Sequence, residues 1–171
     1  MQIIYQSEAA ECGLACIAMV ANHHGHQLDL TTLRNRYSVS LKGANLQQLM
    51  QLAGQLGMAP RALKLDLADL KNLRLPCILH WDMNHFVVLK EVKGERCVIL
   101  DPAYGERTLR MAEVSKHFTG IALELTPQAQ FKAKTTPKTF PLSQLTGNIR
   151  GFGKSAGQIL ALALVLELFA I

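Results

Sequence analysis

The chain has 171 residues, of which 49% are hydrophobic and 18% charged, with a formal net charge of +5. That length suits one domain with an appendage, and the apolar fraction is enough for a sizeable core. Residues 1–126 are nearly balanced in charge, whereas 127–154 hold Lys132, Lys134, Lys138, Arg150 and Lys154 and no acid, so the excess marks a connector and excludes a nucleic-acid face on the domain.

A first helix is predicted from Ser7 or Ala9 to His24, where Leu14, Ile17, Ala18 and Ala21 keep helical spacing and Gly25 supplies a stop. His23, His24 and His26 raise the alternative of a metal site. They are read instead as complements to the negative end of the helix, so no metal ligand set is expected. A second helix is expected over residues 30–37 and a third over 46–56. The third is introduced by K-G-A-N, stopped at Gly57, and carries Leu46, Leu49, Met50, Ala53 and Leu56 on one face. A strand over 59–65 and a helical turn near 67–70 follow. From Pro76 the pattern changes to strands over 77–81, 86–93, 96–100 and 106–111, then a short helix over 112–118 and a last strand over 121–125. Helices first and antiparallel strands second make an α+β fold.

Residues 126–140, with Pro127, Pro137 and several Lys and Thr, have no periodicity and read as linker. The tail from Ser155 to Ile171 is apolar apart from Glu167, and a spanning helix needs roughly 20 such residues. The expected organisation is therefore a domain over 1–126, a basic linker over 127–154, and the unfinished start of a first transmembrane helix over 155–171. A C-terminal amphipathic or buried helix is the alternative for that tail. A basic connector before it fits anchoring with the positive side at a cytoplasmic membrane face.

The chemistry lies in three places. Gln6 stands six positions before Cys12, which opens the first helix in A-A-E-C-G-L-A-C. A cysteine there has its thiolate favoured by the helix dipole, and a glutamine amide one short loop upstream can join the Cys12 N–H in holding an oxyanion. His85, in H-W-D-M-N-H-F-V-V-L, begins one strand, and Asp101, in C-V-I-L-D-P-A-Y-G, ends the next. A turn with Gly94 joins those strands, so antiparallel pairing brings both residues to the open end of the hairpin. Cys12, His85 and Asp101 then read as nucleophile, base and orienting acid. Asp82 as the orienting acid and His80 as the base are alternatives. Asp82 precedes His85 by only three residues on a loop, and His80 sits inside an apolar strand pattern. Trp81 and Tyr104 are candidates for shaping the cleft or for core packing.

The four cysteines, Cys12, Cys16, Cys77 and Cys97, form no secreted disulfide framework, and no secretory signal pattern precedes them. Reduced thiols are expected, with Cys16 a packed core residue. The C-x-x-x-C spacing of Cys12 and Cys16 is wrong for a zinc knuckle or a redox pair. No phosphate loop of the form G-x-x-x-x-G-K-[ST] occurs, so no nucleotide or other cofactor is expected.

The stretch Q-S-E-A-A-E-C-G-L-A-C-I-A-M-V-A-N-H-H-G, with P-C-I-L-H-W-D-M-N-H-F-V-V-L and V-I-L-D-P-A-Y-G, resembles the bacteriocin-processing peptidase domains, most nearly those of the colicin V type of exporter. These papain-like cysteine peptidases form the N-terminal part of certain bacterial ABC exporters. The resemblance runs from about residue 5 to residue 127. It implies a papain-like fold in which helices pack on an antiparallel sheet. It also implies Cys12 as nucleophile, His85 as general base and acid, Asp101 as its orienter, and Gln6 in the oxyanion hole. The implied activity is removal of leader peptides ending in Gly-Gly or Gly-Ala, cut after the second small residue during export. The implied partners are the leader peptide and the membrane and ATP-binding domains of the exporter, in a dimer, with the peptidase on the cytoplasmic side of the inner membrane. Two other readings stand beside this one: a leader-binding docking module without catalysis, and a general cysteine hydrolase unrelated to export.

Overall fold

The first helix, α1 (Cys12–His23), is apolar on all sides, and every residue from Cys12 to Ala21 is buried. Such a helix is stable only inside a core. It is seen in a computed structural model that describes residues 1–37, 43–128 and 152–169. These fall into two units, Met1–Thr136 and Pro137–Ile171. In the first unit, α1 is entered through a single 3-10 turn, Ala9–Glu11, and closes before Gly25, whose φ of 100° no side chain adopts readily. α2 (Leu30–Arg36) starts where the Asp29 carboxylate accepts the Thr32 N–H, and α3 (Leu46–Gln55) starts with a reciprocal Asn45–Gln48 capping box. α3 crosses the first turn of α1 so closely that a Cβ on Gly13 would lie 2.8 Å from Leu49 Cδ2. Any larger residue directly after Cys12 would have to displace the Leu49 side chain.

Six strands follow: β1 (Met58–Lys64), β2 (Cys77–Trp81), β3 (His85–Lys93), β4 (Arg96–Asp101), β5 (Gly105–Arg110) and β6 (Phe118–Pro127). They form one antiparallel sheet in the order β1-β6-β2-β3-β4-β5. Alternation along the strands divides the core in two. On one face Ile78, Phe86, Val88, Leu100, Leu123 and Leu125 pack with the three helices. On the other, Leu79, Trp81, Val87, Leu89 and Ile99 pack with Leu70 of a 3-10 turn (Leu67–Asn72) and Val114 of α4 (Met111–His117). Burying each large apolar side chain contributes about 1.5–3 kcal/mol, so Leu14, Ile17, Met19 and Val20 do most to hold α1 in the core. The expected α+β, papain-like arrangement of helices on an antiparallel sheet is therefore the one observed.

The differences lie at element ends. β6 begins at Phe118 and runs to Pro127, so Thr126 and Pro127 are strand, paired with Ala59 and Met58, where linker was expected. β6 also carries a buried acid that its apolar pattern did not announce. Glu124 accepts from Arg61 Nε at 2.9 Å and from the Arg74 N–H at 2.7 Å, which compensates its burial. Of the three histidines at the end of α1, His26 is buried against the Leu56 carbonyl oxygen at 3.0 Å. Residues 129–151, including Lys132, Lys134, Lys138 and Arg150 of the expected linker, lie outside the described residues.

The second unit contains α5 (Phe152–Phe169), an 18-residue helix that begins three residues before the expected tail. Among the described residues, no helix is long and apolar enough to cross a membrane.

Candidate active site

Cys12 is the first residue of α1, and Asp101 is the last residue of β4. His85 opens β3 opposite Trp81. The turn that delivers His85 uses Asp82 and Met83 at φ of 47° and 65°, both left-handed without glycine. Met83 there costs of order 1–2 kcal/mol, a strain stored one residue from Asn84 and two from His85. The sequence offered no Gly or Asn-Gly signal for this turn.

The structure brings Cys12, His85 and Asp101 together. His85 Nε2 lies 2.9 Å from Asp101 Oδ1, and Cys12 is near enough to the same imidazole to act on its protonation. With Nε2 committed to the carboxylate, Nδ1 is the nitrogen left for the thiol. The His85 side chain is 17% exposed and that of Asp101 only 3%, so water screens their attraction weakly. Burial alone would lower the His85 pKa, but the bonds and charges of Asp101 and Cys12 outweigh it and raise the value to about 9. Burial likewise works against the Asp101 carboxylate, yet His85 and the backbone N–H of Ala103 and Tyr104 hold its pKa below the ordinary value. One of these is a 2.9 Å bond from the Ala103 N–H to Oδ1, the same oxygen that faces His85. An imidazole held this way can take a thiol proton and return it to a leaving group.

The other thiols are differently placed. Burial raises Cys16, Cys77 and Cys97, with Cys16 well above the thiol range because it is wholly enclosed in α1. His80 bonds to Thr119 Oγ1 at 2.8 Å, and Asp82 to His117 Nδ1 at 2.7 Å. Neither alternative partner is bonded to the Cys12–His85 pair.

Gln6 reaches the site through its backbone, whose N–H donates to the Pro102 carbonyl at 3.0 Å, directly after Asp101. The preceding Tyr5 lies on Gly105, where a Cβ would meet its hydroxyl at 3.1 Å; Gly105 also has φ of 92°. The segment before α1 is thus clipped to the β4–β5 turn. Oε1 of Gln6 is the buried side-chain polar atom left without a partner among the described residues. Leaving it so costs about 1–3 kcal/mol. A half-turn about its soft terminal torsion puts the amide NH₂ in the same place, where it can donate to an anion.

One residue that the motif reading passed over also organises the site. The buried Glu11 carboxylate accepts the Ser7 and Glu8 N–H groups at 2.9 and 3.1 Å, and Arg34 Nε at 2.6 Å. Burial works against its charge, but Arg34 and the two amides prevail and lower its pKa. It straps the loop between Gln6 and Cys12 to α2. The signal was present as E-A-A-E, the spacing of a capping box.

Two hollows lie in this part of the domain. One, of about 510 Å³, lies toward α3 and is lined by Gly43, Asn45, Leu46, His80, Asn84 and Phe86, among others. The other, of about 470 Å³, contains His85 and Asp101 themselves and extends to Trp81, Asp82, Tyr104, Arg107 and His117.

Comparison with known proteins bears on the family of the chain. The model of the Peptidase C39 family matches residues 1–130. The chain is 47% identical over 165 residues to the probable microcin-H47 secretion/processing ATP-binding protein of Escherichia coli, and 46% identical to the colicin V secretion/processing ATP-binding protein of the same species. Each alignment covers 96% of this chain and 24% of the relative, so the chain spans about a quarter of their length. Among solved structures, a double glycine motif protease from an AMS/PCAT transporter, in complex with its leader peptide, superposes with a TM-score of 0.70. It shares 38% identity, over 74% of this chain and 91% of that one. The peptidase domain of Streptococcus ComA, a bi-functional ABC transporter, superposes with a TM-score of 0.67 at 26% identity, over 73% and 97% of the two chains.

Proposed function

The chain belongs to the Peptidase C39 family of cysteine peptidases, and on that premise we propose that it removes double-glycine-type leader peptides from bacteriocin or microcin precursors as they are exported. The observation that carries the reading is the contact of one imidazole with both the Cys12 thiol and the Asp101 carboxylate, at the start of a buried helix.

His85 takes the Cys12 proton, and the thiolate attacks the carbonyl of the second small residue of the leader. The Cys12 N–H and the turned Gln6 amide hold the oxyanion. His85, steadied by Asp101, gives the proton to the leaving amine. Water, activated by the same imidazole, then hydrolyses the thioester and frees the leader. We place the end of the leader in the 510 Å³ hollow, whose lining includes Asn84 and Phe86, the residues on either side of His85 in sequence.

Relatives named as secretion/processing ATP-binding proteins support placing the chain in an exporter, and the rest of the setting is our proposal. As the peptidase part of a longer ABC exporter, the domain works beside membrane and ATP-binding domains, in a dimer, at the cytoplasmic face of a bacterial inner membrane. The acid-free basic stretch over 127–154 favours that anchoring.

The test is cleavage of a synthetic leader ending in Gly-Gly followed by a few cargo residues, by the wild type, Cys12→Ala and Cys16→Ala. Cutting after the second glycine that disappears only in Cys12→Ala supports the peptidase and its nucleophile. Leader binding by all three proteins without cutting by any points to a docking module instead.

A further inference from the structure

The 470 Å³ hollow beyond His85 is not used by the leader in the reading above. It lies on the face of the sheet opposite α1. Trp81, paired with His85, packs with Val87 and Ile99 on that face, and Arg107, paired with Ile99, points the same way. His85 is part of its wall. An imidazole that hands its proton to the leaving amine must have that amine beside it, so the chain after the cut bond passes over the His85 side.

The charges of the hollow are unequal. Both of its carboxylates are committed to histidines, Asp101 to His85 at 2.9 Å and Asp82 to His117 at 2.7 Å. Arg107 has no carboxylate partner among the described residues, and its guanidinium carbon lies 5.8 Å from the centre of the Tyr104 ring. Glu106, its neighbour in sequence, is turned to Lys90 at 3.0 Å. Tyr104 is 76% exposed, an open aromatic face at the rim. The hollow therefore has one uncommitted charge, and it is positive.

We propose that this hollow receives the first residues of the released peptide, and that Arg107 makes it select an acidic side chain there. The Tyr104 ring keeps the guanidinium extended over the hollow. A carboxylate entering from the peptide completes the ion pair that the fold leaves open, and a lysine or arginine in its place meets repulsion. The inference rests on the peptidase reading, since it concerns the leaving side of the same reaction.

The experiment compares synthetic leader peptides ending in Gly-Gly and followed by three alanines, with Glu or Lys replacing each alanine in turn. The ratio of kcat/KM for the Glu and Lys members of a pair is measured in the wild type, Arg107→Lys and Arg107→Glu. Using a ratio within one protein removes any loss of folded enzyme from the comparison. A wild-type preference for Glu of roughly five-fold at one position, the size of one exposed ion pair, is expected. It should persist in Arg107→Lys and reverse in Arg107→Glu. The same ratio in the wild type and Arg107→Glu overturns the proposal while cutting after Gly-Gly keeps the peptidase reading. No cutting of any peptide by the wild type, or of the leader carrying a coumarin amide, removes the peptidase reading and this proposal with it.

Discussion

Two histidine–aspartate pairs line the same hollow, and the one outside the proposed triad has the shorter contact. His117 and Asp82 are 2.7 Å apart, His85 and Asp101 2.9 Å. The side chains of the first pair are 42% and 49% exposed, those of the second 17% and 3%. Water therefore screens the first pair, while the second acts through a medium that transmits its charge. The third partner differs as well. The His117 ring lies stacked on Trp81 at 5.2 Å, whereas His85 has a thiol on its remaining side. A dyad becomes a catalytic base through enclosure and a proton donor to serve, and a short hydrogen bond supplies neither.

The comparison is tested most severely by Asp101→Asn. This substitution removes the charge that, with Cys12, raises His85 against its burial. It is expected to lower kcat/KM about a hundredfold, within the range of general acid–base catalysis. It also has a pH signature. His85 is raised to about 9, so its protonated form, and the stability it lends, are fully present below the unfolded value and are lost as pH rises through about 9. The wild type should accordingly lose activity on an alkaline limb near pH 9, and in Asp101→Asn that limb should move to lower pH. An unmoved limb in the kcat/KM profile would show that enclosure, and not the carboxylate, sets the imidazole.

Glu11→Ala probes the third partner at a distance. The Glu11 carboxylate straps the loop that carries Gln6 and Cys12. Losing its bonds to two amides should cost about 2 kcal/mol in denaturant unfolding, because hydrogen bonds to a charged group are the stronger kind. It should also lower kcat/KM roughly tenfold, through kcat more than KM, since Cys12 is held less well against His85. The same loss of stability with full activity in the folded fraction would make the strap structural only.

Most of this framework is legible in the sequence where a short-range pattern decides the outcome. The apolar run after Cys12, the capping residues Asp29 and Asn45, and the β-branched strands before and after Gly94 each specify their element locally. The hairpin logic that joins His85 to Asp101 is local too, and those side chains lie 2.9 Å apart. What the sequence hid depends on distant partners. Glu124 and Glu11 look like surface acids until Arg61 and Arg34, far off in the chain, come to meet them. The three-residue turn at Asp82 and Met83 was hidden for a related reason. Tertiary context holds two non-glycine residues at positive φ there, against their preference. Arg107 carries no motif, and becomes notable only beside carboxylates that are already paired.

The smallest expected effect belongs to Asp82→Asn, and it is the one that isolates the lesson of the two pairs. The substitution breaks the shorter of the two contacts while leaving a side chain of equal size that can still hydrogen-bond to His117. Because that pair is half exposed, the change should alter stability by less than about 1 kcal/mol, as for other screened ion pairs. Cleavage of a Gly-Gly leader should fall by no more than about two-fold for the same reason, and the alkaline limb should stay near pH 9, since Asp82 is absent from the interactions that raise His85. A displaced limb would mean that Asp82 is coupled to the Cys12–His85 pair across the hollow. The hollow would then be a single electrostatic unit, and the selectivity inferred for Arg107 would have to be measured in the Asp82→Asn background as well.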